Sequence, residues 1–161
     1  MRYFEKISEN EFIKDCDNHI DYNNYNLPCR KTMNSAGYDF ELIQDVEIKP
    51  NEVKIIPTGI KACMNSGEVL MLFVRSSIGF KHNIRLTNQT GVIDMDYYNN
   101  INNEGHIYFS IQNHSNEIKT FKKGDSIIQG IFINYLVTDN EKNNNVKRIG
   151  GIGSTNKKEE I

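Results

Sequence analysis

A chain of 161 residues is long enough for one domain with a proper hydrophobic core and too short for two comfortable ones. Its 19 Lys and Arg residues against 21 Asp and Glu residues give a net charge of −2, which argues against a nucleic-acid polymer as partner. The N-terminus is acidic where a signal peptide has an apolar core, and no apolar run approaches membrane-spanning length. We therefore expect a cytoplasmic protein that does not bind membranes.

The cysteine and histidine spacings do not predict a structural metal site. The three cysteines lack CxxC spacing, and no histidine stands at a zinc-ligand distance from them. We expect free thiols at Cys16, Cys29 and Cys63. The histidines show no metal-like spacing either, and we predict surface or loop positions for His19, His82, His106 and His114.

The N-terminal residues predict a strand followed by a helix. Arg2 to Lys6 is of strand length, and Ser8-Glu9-Asn10-Glu11 matches the capping box of a helix start, from which a short helix runs to about Asp17. Residues 18–34 are rich in Asn, Asp and Tyr without a sustained period, which is typical of a loop.

From Ala36 onward, short apolar runs alternate with turn residues. Each run has the length of a strand, and closely spaced short strands indicate a β-sandwich, a jelly roll or a barrel. The runs are Gly37–Leu42, Val46–Ile48, Val53–Ile56, Gly59–Cys63, Glu68–Val74, His106–Gln112, Ile118–Phe121 and Ile127–Val137.

These patterns divide the chain into three segments. Residues 1–26 form an N-terminal extension, residues 27–137 form the β core, and residues 138–161 form a polar linker and a glycine-rich arm. The last segment has too little apolar surface to order itself, so we expect it to be flexible.

The stretch Gly91-Val92-Ile93-Asp94-Met95-Asp96-Tyr97 places two acids among apolar residues. An extended backbone puts Asp94 and Asp96 on the same side of a strand. A carboxylate with apolar neighbours must be hydrogen-bonded, must form an ion pair, or must serve a function such as catalysis. Taken alone, the stretch favours a strand that ends in a turn, where Asp is common.

Four other segments carry groups suited to phosphate or to buried polar contacts. Arg75-Ser76-Ser77-Ile78-Gly79 joins a guanidinium, two hydroxyls and a small-residue turn, which suits phosphate oxygens as well as a polar strand end. Residues 150–155 fit either a loop that wraps around an anion or a flexible tail, and they lack the spacing of a Walker phosphate-binding loop. Residues 123–132 predict a buried strand whose polar side chain is Gln129, and residues 36–40 begin a strand that carries Asp39.

In their order, these segments resemble a known enzyme family. AGYDF (36–40), RSSIG (75–79), GVIDMDY (91–97), KGDSIIQGIF (123–132) and RIGGIGST (148–155) resemble the five motifs of the homotrimeric dUTP pyrophosphatase (dUTPase) family. The resemblance implies an all-β fold, a jelly-roll-like β-barrel with a flexible C-terminal arm, in a homotrimer whose active sites combine motifs from three chains. It also implies hydrolysis of dUTP to dUMP and pyrophosphate.

The resemblance assigns a role to each motif residue. Asp94 matches the acid that activates the water attacking the α-phosphorus, and Tyr97 matches the tyrosine that excludes a 2′-hydroxyl. Asp39 matches an acid that approaches Mg²⁺ through water, and no direct protein ligand of Mg²⁺ is expected. Residues 83–93 match a hairpin whose backbone pairs with uracil. The remaining substrate contacts, to uracil, to the phosphates and from the arm, fall on Asn88, Gly91, Val92, Ile93, Arg75, Ser76, Ser77, Gly79, Gln129, Arg148, Ile152, Gly153, Ser154 and Thr155.

Three departures from the family pattern affect these expectations. Ile152 replaces an aromatic residue that stacks on uracil, which costs about 1–3 kcal/mol of stacking and predicts weaker closure of the arm. Only Ile149 separates Arg148 from the glycines, which is a shorter spacing than the family pattern has, so Lys147 is a second candidate for the phosphate-binding cation. We choose Arg148 because its planar guanidinium suits phosphate. Residues 98–105 form a polar insertion after Tyr97, with Gly105 resuming the family register.

Two alternatives remain open from the sequence. A dCTP deaminase shares the fold, but GVIDMDY and the glycine-rich arm favour the diphosphohydrolase. A dUTPase fold also serves as a regulatory binding partner of other proteins, and the insertion at residues 98–105 is a candidate contact surface.

Overall fold

The computed structural model describes residues 1–16, 19–141, 148, 150 and 151. Within these residues the fold is almost entirely β, with a short N-terminal helix, and the predicted jelly-roll-like fold class is confirmed. In chain order the elements are β1 (Tyr3–Lys6), α1 (Glu9–Asp15), β2 (Tyr38–Glu41), β3 (Val46–Ile48), β4 (Val53–Pro57), β5 (Ile60–Cys63), β6 (Glu68–Val74), α2 (Ser76–His82), β7 (Ile84–Leu86), β8 (Gly91–Asp94), a 3₁₀ turn (Met95–Tyr97), β9 (Tyr108–Asn113), β10 (Lys119–Phe121) and β11 (Ser126–Asn134).

Antiparallel sheets enclose one main core. The largest sheet has the order β2-β11-β6-β8, and a second sheet has the order β4-β9-β7. Strand β9 alternates half-buried and buried side chains, as a strand with one face on a core does. Leu70 and Leu72 of β6 meet Ile56 of β4 and Ile111 of β9 in one apolar cluster, so the two sheets share their buried faces.

The register of the largest sheet fixes where the motif residues lie. On β6, Leu72 pairs with Gly91 and Val69 pairs with Asp94. On the other side of β6, Phe73 pairs with Gln129 of β11, which in turn pairs with Asp39 of β2. Asp39 and Gln129 therefore lie towards one end of β6, while Asp94 lies towards the other.

The N-terminal segment is packed onto the core by a strand and a capped helix. Strand β1 pairs with β5, and α1 begins where the capping-box pattern predicted, with Glu11 N donating to Ser8 Oγ at 3.2 Å. The reciprocal hydrogen bond of the capping box, from Ser8 N to the Glu11 side chain, is replaced, because the Glu11 carboxylate pairs with Lys14. The Ser8 N–H donates instead to Glu104, at 2.9 Å. The insertion thus supplies part of the helix cap.

The stretch around Asp94 is a strand that ends in a turn, as that stretch alone predicted, because β8 ends at Asp94 and the backbone turns into the 3₁₀ turn. Asp94 and Asp96 therefore do not share an extended strand. Two other local predictions are wrong. Residues 75–79 form more than a turn, since Ser76–His82 form a short helix that begins directly after Arg75. The segment around Asn88, expected to be a hairpin, joins strands β7 and β8 that belong to different sheets and do not pair.

Candidate active site

The first group of predicted site residues surrounds the guanidinium of Arg75. Its Nε lies 3.1 Å from Oδ2 of the buried Asp39, and its Nη1 donates to the carbonyl of Ser126 at 3.1 Å. The Nη2 group has no partner in the part of the chain that the structure describes. Arg75 is therefore held in place with donors left for an anion.

Gln129 stands beside this arginine on the neighbouring strand. Its side chain is half-buried, and it packs so closely on Gly37 that a Cβ at Gly37 would lie 2.2 Å from Oε1. The glycine of the first motif is therefore required for this approach. Ser76 and Ser77 are exposed in the first turn of α2, next to Arg75, so their hydroxyls are available to a ligand.

A small pocket of about 80 Å³ opens beside the turn that connects β7 to β8. Its walls combine side chains of both sheets with Asn88, which is exposed, and Gly91, which is buried. Its lining is Ile55, Leu72, Leu86, Asn88, Gly91, Tyr108, Phe109 and Ser110. Of the other residues predicted to contact the base, Val92 is exposed and Ile93 is half-buried.

The second group of predicted site residues surrounds Asp94. Arg148 Nη1 lies 3.1 Å from Asp94 Oδ2 and 3.5 Å from Asp96 Oδ1, so one cation bridges both acids. Its guanidinium carbon lies 5.6 Å from the centroid of the Tyr97 ring. The Asp94 side chain is still 51% exposed, which leaves its carboxylate accessible to water.

Tyr97 is buried at this group, and its hydroxyl is fully engaged. It donates to the carbonyl of His106 at 2.6 Å and accepts from Asn103 Nδ2 at 2.8 Å. Burial raises the pKa of Tyr97, so the phenol stays neutral and keeps its proton for His106. The residues of the insertion were not predicted to contact Tyr97.

His106 is in a loop, as predicted, but its side chain is completely buried. Its Nε2 accepts from Gly59 N at 2.9 Å, so the ring proton of the neutral form is on Nδ1, which lies 3.0 Å from Asp15 Oδ2. Burial lowers the pKa of His106, and the attraction of Asp15 opposes that shift only in part. Burial alone would raise the pKa of Asp15, but hydrogen bonds from Tyr108 and His106 outweigh it and lower that pKa.

The two groups lie far apart in one chain. Asp94 pairs with Val69 near the start of β6, whereas Arg75 directly follows the end of β6. Val69 and Arg75 are six residues apart. At roughly 3.3 Å per residue, this is about 20 Å. Arg75 and Asp94 of the same chain cannot contact the same phosphate group.

Comparison with known proteins decides the family. The dUTPase family model matches residues 23–156 of the chain. The chain belongs to the dUTPase family. The deoxyuridine 5′-triphosphate nucleotidohydrolase of Lactococcus lactis subsp. lactis (strain IL1403) is 47% identical over 131 residues, which cover 81% of this chain and 87% of that protein. The corresponding protein of Nautilia profundicola is 35% identical over 135 residues, covering 81% and 91%.

Solved dUTPase structures have the same fold. The crystal structure of dUTPase from Streptococcus mutans matches with a TM-score of 0.69 and 40% sequence identity, covering 84% of this chain and 98% of that one. The dUTPase from phage phi11 of Staphylococcus aureus matches with a TM-score of 0.66 over 91% of this chain and 98% of that one. At 19% identity, that second match supports the fold alone.

Several predicted arm residues lie outside the described residues, namely Lys147, Ile152, Gly153, Ser154 and Thr155. The start of the arm is described. A Cβ at Gly150 would lie 2.2 Å from Asn102 Nδ2, and a Cβ at Gly151 would lie 3.3 Å from the Tyr97 hydroxyl. The first arm residues therefore lie against Tyr97 and the insertion of the same chain.

Further features bear on metal and membrane chemistry. In residues 1–16, 19–141, 148, 150 and 151, no group of three or more His, Cys, Asp or Glu side chains is arranged to hold a metal ion. No helix among those residues is long and apolar enough to cross a membrane. Cys16, Cys29 and Cys63 are free thiols, as predicted.

Proposed function

We propose that the chain is a dUTP diphosphatase, which hydrolyses dUTP to dUMP and pyrophosphate. The observation that carries the proposal is the half-exposed Asp94 carboxylate next to Tyr97 and Arg148, in a chain of the dUTPase family. The related protein of L. lactis, 47% identical, carries the name of this activity. Asp94 is the general base that orients and deprotonates the attacking water, which strikes the α-phosphorus.

The position of Asp94 supports this role. Water is a poor nucleophile, so a fixed carboxylate must hold it in line with the bond that breaks. Asp94 ends a strand whose register is set by β6, while its carboxylate remains open to solvent. Asp96 lies on the adjoining 3₁₀ turn and shares Arg148 with Asp94, so it acts as a supporting acid.

The sugar and the base are recognised at Tyr97 and beside Asn88. The ring of Tyr97 packs against deoxyribose and leaves no room for a 2′-hydroxyl. The pocket lined by Asn88 and Gly91 receives uracil, with Val92 and Ile93 supplying backbone groups for pairing. Buried donors and acceptors that fit uracil reject cytosine steeply, because a mismatch leaves them unpaired.

The phosphates contact both ends of the fold. Arg75, Ser76, Ser77, Gly79 and Gln129 form one set of contacts, and Arg148 with Gly153, Ser154 and Thr155 forms the other. Among the described residues, no hydrogen bond is formed by Arg75 Nη2, and the Nε of Arg148 is buried without a hydrogen-bond partner. A phosphate oxygen would satisfy such a donor.

The separation of these groups supports a trimer with shared sites. Because Arg75 and Asp94 of one chain are about 20 Å apart along β6, one chain does not complete a site by itself. In a three-fold trimer, the Arg75 group of one chain faces the Asp94 group of another. When substrate binds, the arm of a third chain covers it and takes the place of the arm of the same chain, whose Arg148 lies at Asp94 in this structure.

Magnesium fits a site of this kind through the substrate. The described residues form no protein cage for a metal, and Asp39 is engaged by Arg75, so the ion would be held mainly by triphosphate oxygens and water, with Asp39 contacting it through water. When bound, Mg²⁺ neutralises phosphate charge as the leaving pyrophosphate forms. The three free thiols suit a reducing cytoplasm.

The alternatives have less support. No observation favours a deaminase over the diphosphatase. The insertion is also a smaller candidate surface for a regulatory protein than the sequence indicated, because Tyr98, Asn99 and Glu104 contact other parts of the same chain.

The deciding experiment is a pyrophosphate-release assay with each nucleoside triphosphate in the presence of Mg²⁺. We expect selective release from dUTP, with dUMP as the second product. Absence of turnover with dUTP, or formation of a uracil nucleotide from dCTP, would overturn the proposal.

A further inference from the structure

The insertion at residues 98–105, together with His106 directly after it, supplies both a donor and an acceptor to the hydroxyl of Tyr97. The Tyr97 O–H donates to the His106 carbonyl at 2.6 Å, at the end of the insertion. The same oxygen accepts from Asn103 Nδ2 at 2.8 Å, within the insertion. A phenol hydroxyl has one proton to donate, so the pair of bonds fixes both the ring and the direction of its O–H.

Asn103 is itself held by a second asparagine. Its Oδ1 accepts from Asn100 Nδ2 at 2.8 Å and from Gly105 N at 3.2 Å. Asn100 is buried, and its Nδ2 also donates to the Tyr97 carbonyl at 2.8 Å. The network therefore contacts Tyr97 at its backbone and at its hydroxyl, and the Asn103 amide cannot rotate without losing several bonds.

Gly105 closes this loop. Its φ of +85° is in the left-handed region, and a Cβ there would lie 2.6 Å from the Tyr97 carbonyl oxygen. Glycine is required by both the backbone angle and the close approach. The insertion is thus folded tightly back onto Tyr97.

The N-terminal segment anchors the insertion. The Glu104 carboxylate accepts from Ser8 Oγ at 2.6 Å and from Ser8 N at 2.9 Å. Tyr98 donates to Glu5, and its hydroxyl lies 3.0 Å from that of Tyr3. These contacts give the N-terminal segment a function, because they connect it to the loop that carries Asn103.

We propose that Asn103 is a positioning residue that sets the selectivity for deoxyribose over ribose by fixing the Tyr97 ring. The inference rests on the proposed function, in which that ring is the sugar filter. A ring that packs against C2′ rejects a hydroxyl only if it cannot move aside. The bond from Asn103 is the side-chain contact that holds the outer end of the ring, whereas the bond to His106 is made to the main chain.

The test is a comparison of kcat/KM for dUTP and for UTP in four proteins: wild type, Asn103→Ala, Tyr97→Phe and the double variant. We expect Asn103→Ala to lower the dUTP-to-UTP ratio about three- to tenfold, mainly through improved use of UTP. In the Tyr97→Phe background, where the hydroxyl is absent, Asn103→Ala should change the ratio no further. Asn99→Gly removes the bond to Lys61 in the same loop while accommodating the left-handed φ of that position, so it is the matched control and should leave the ratio unchanged.

Two additional measurements separate positioning from loss of fold. Asn103→Leu keeps a side chain of similar size but can neither donate to nor accept from the Tyr97 hydroxyl, and we expect the same loss of selectivity. Fluorine NMR of 3-fluorotyrosine protein, with the Tyr97 signal identified by its absence in Tyr97→Phe, should show a shifted or broadened Tyr97 signal in Asn103→Ala and an unchanged one in Asn99→Gly.

An unchanged ratio in Asn103→Ala would overturn the proposal, as would an equal loss in the presence and absence of the Tyr97 hydroxyl. If the wild type does not hydrolyse dUTP, the proposed function fails and the selectivity role falls with it. The fluorine spectra then decide separately whether Asn103 fixes Tyr97.

Discussion

Arg148 and Asp94 form an ion pair of 3.1 Å, although they are 54 positions apart in the sequence. The pair brings the cation of the arm to the proposed general base within one chain. Arg148 also covers the ring of Tyr97, at 5.6 Å from its centroid. Substrate that uses Asp94 and Tyr97 must therefore displace or share this guanidinium.

The first prediction concerns which cation of the arm binds phosphate. Arg148→Ala should lower kcat/KM for dUTP by at least about tenfold, because a charge-assisted bond to phosphate contributes about 1.5–3 kcal/mol. Lys147→Ala is the matched control and should have a small effect. Steady-state kinetics of both variants provide the measurement, and a larger loss in Lys147→Ala would contradict our choice of Arg148.

The second prediction separates the two acids that share Arg148. Asp94→Asn should abolish turnover while leaving dUTP binding largely intact, since an amide cannot accept the proton of water. Asp96→Asn, which alters the neighbouring carboxylate, should retain most of the turnover. Single-turnover kinetics and calorimetric titration with dUTP test this. Near-normal kcat in Asp94→Asn would remove Asp94 from its role.

The third prediction concerns Ile152 in the arm. Ile152→Phe should tighten substrate binding, because an aromatic ring stacked on uracil adds about 1–3 kcal/mol over an aliphatic side chain. Ile152→Leu keeps an aliphatic side chain and is the control. The values of KM and kcat for dUTP provide the measurement, and no change in either would count against weak closure of the arm.

The fourth prediction is a pH dependence of stability that arises from buried His106. Its pKa is lowered below the ordinary 6.5, so the unfolded chain takes up a proton at pH values where the folded chain does not. The free energy of unfolding should therefore decrease as the pH falls below about 6.5, and this loss should end below the folded pKa. The acids Asp15, Glu11 and Glu104 raise the pKa of His106, which reduces the downward shift without reversing it.

Urea unfolding at fixed protein concentration, between about pH 7.5 and about pH 5.5, measures this loss. His106→Gln should make the free energy of unfolding less dependent on pH over that interval, despite lower overall stability. His114→Gln, at an exposed position, should preserve the wild-type slope. An equal slope in wild type and His106→Gln would show that His106 is not the titrating group.

The sequence predicted the strands well because their signals are local. Runs such as Glu68–Val74 and Val46–Ile48 are apolar and bounded by turn residues, and the structure gives them the same bounds. The start of α1 was also predictable, since Ser8 and Glu11 are close in sequence. The groups around Arg75 and Asp94 fall on motif residues that the ordered resemblance had already identified.

The contacts of Tyr97 were not predictable, since they depend on pairings between distant residues. Nothing in the local pattern shows that Asn103 folds back onto Tyr97, or that Asp15 meets a buried His106. By contrast, the turn at Asp96 was predictable, because aspartates after a short β-branched run are typical of a strand that ends in a turn. The helix after Arg75 was missed because its seven residues are too few for a helical period to emerge.

The antiparallel register of β6 with β8, which keeps Arg75 and Asp94 of one chain apart, has a genetic consequence. Under the proposed trimer, a chain defective at Asp94 and a chain defective at Arg75 are damaged in different halves of the site. Mixed trimers of the two would contain some sites in which both intact halves meet. Two inactive proteins would therefore restore activity to each other when their subunits exchange.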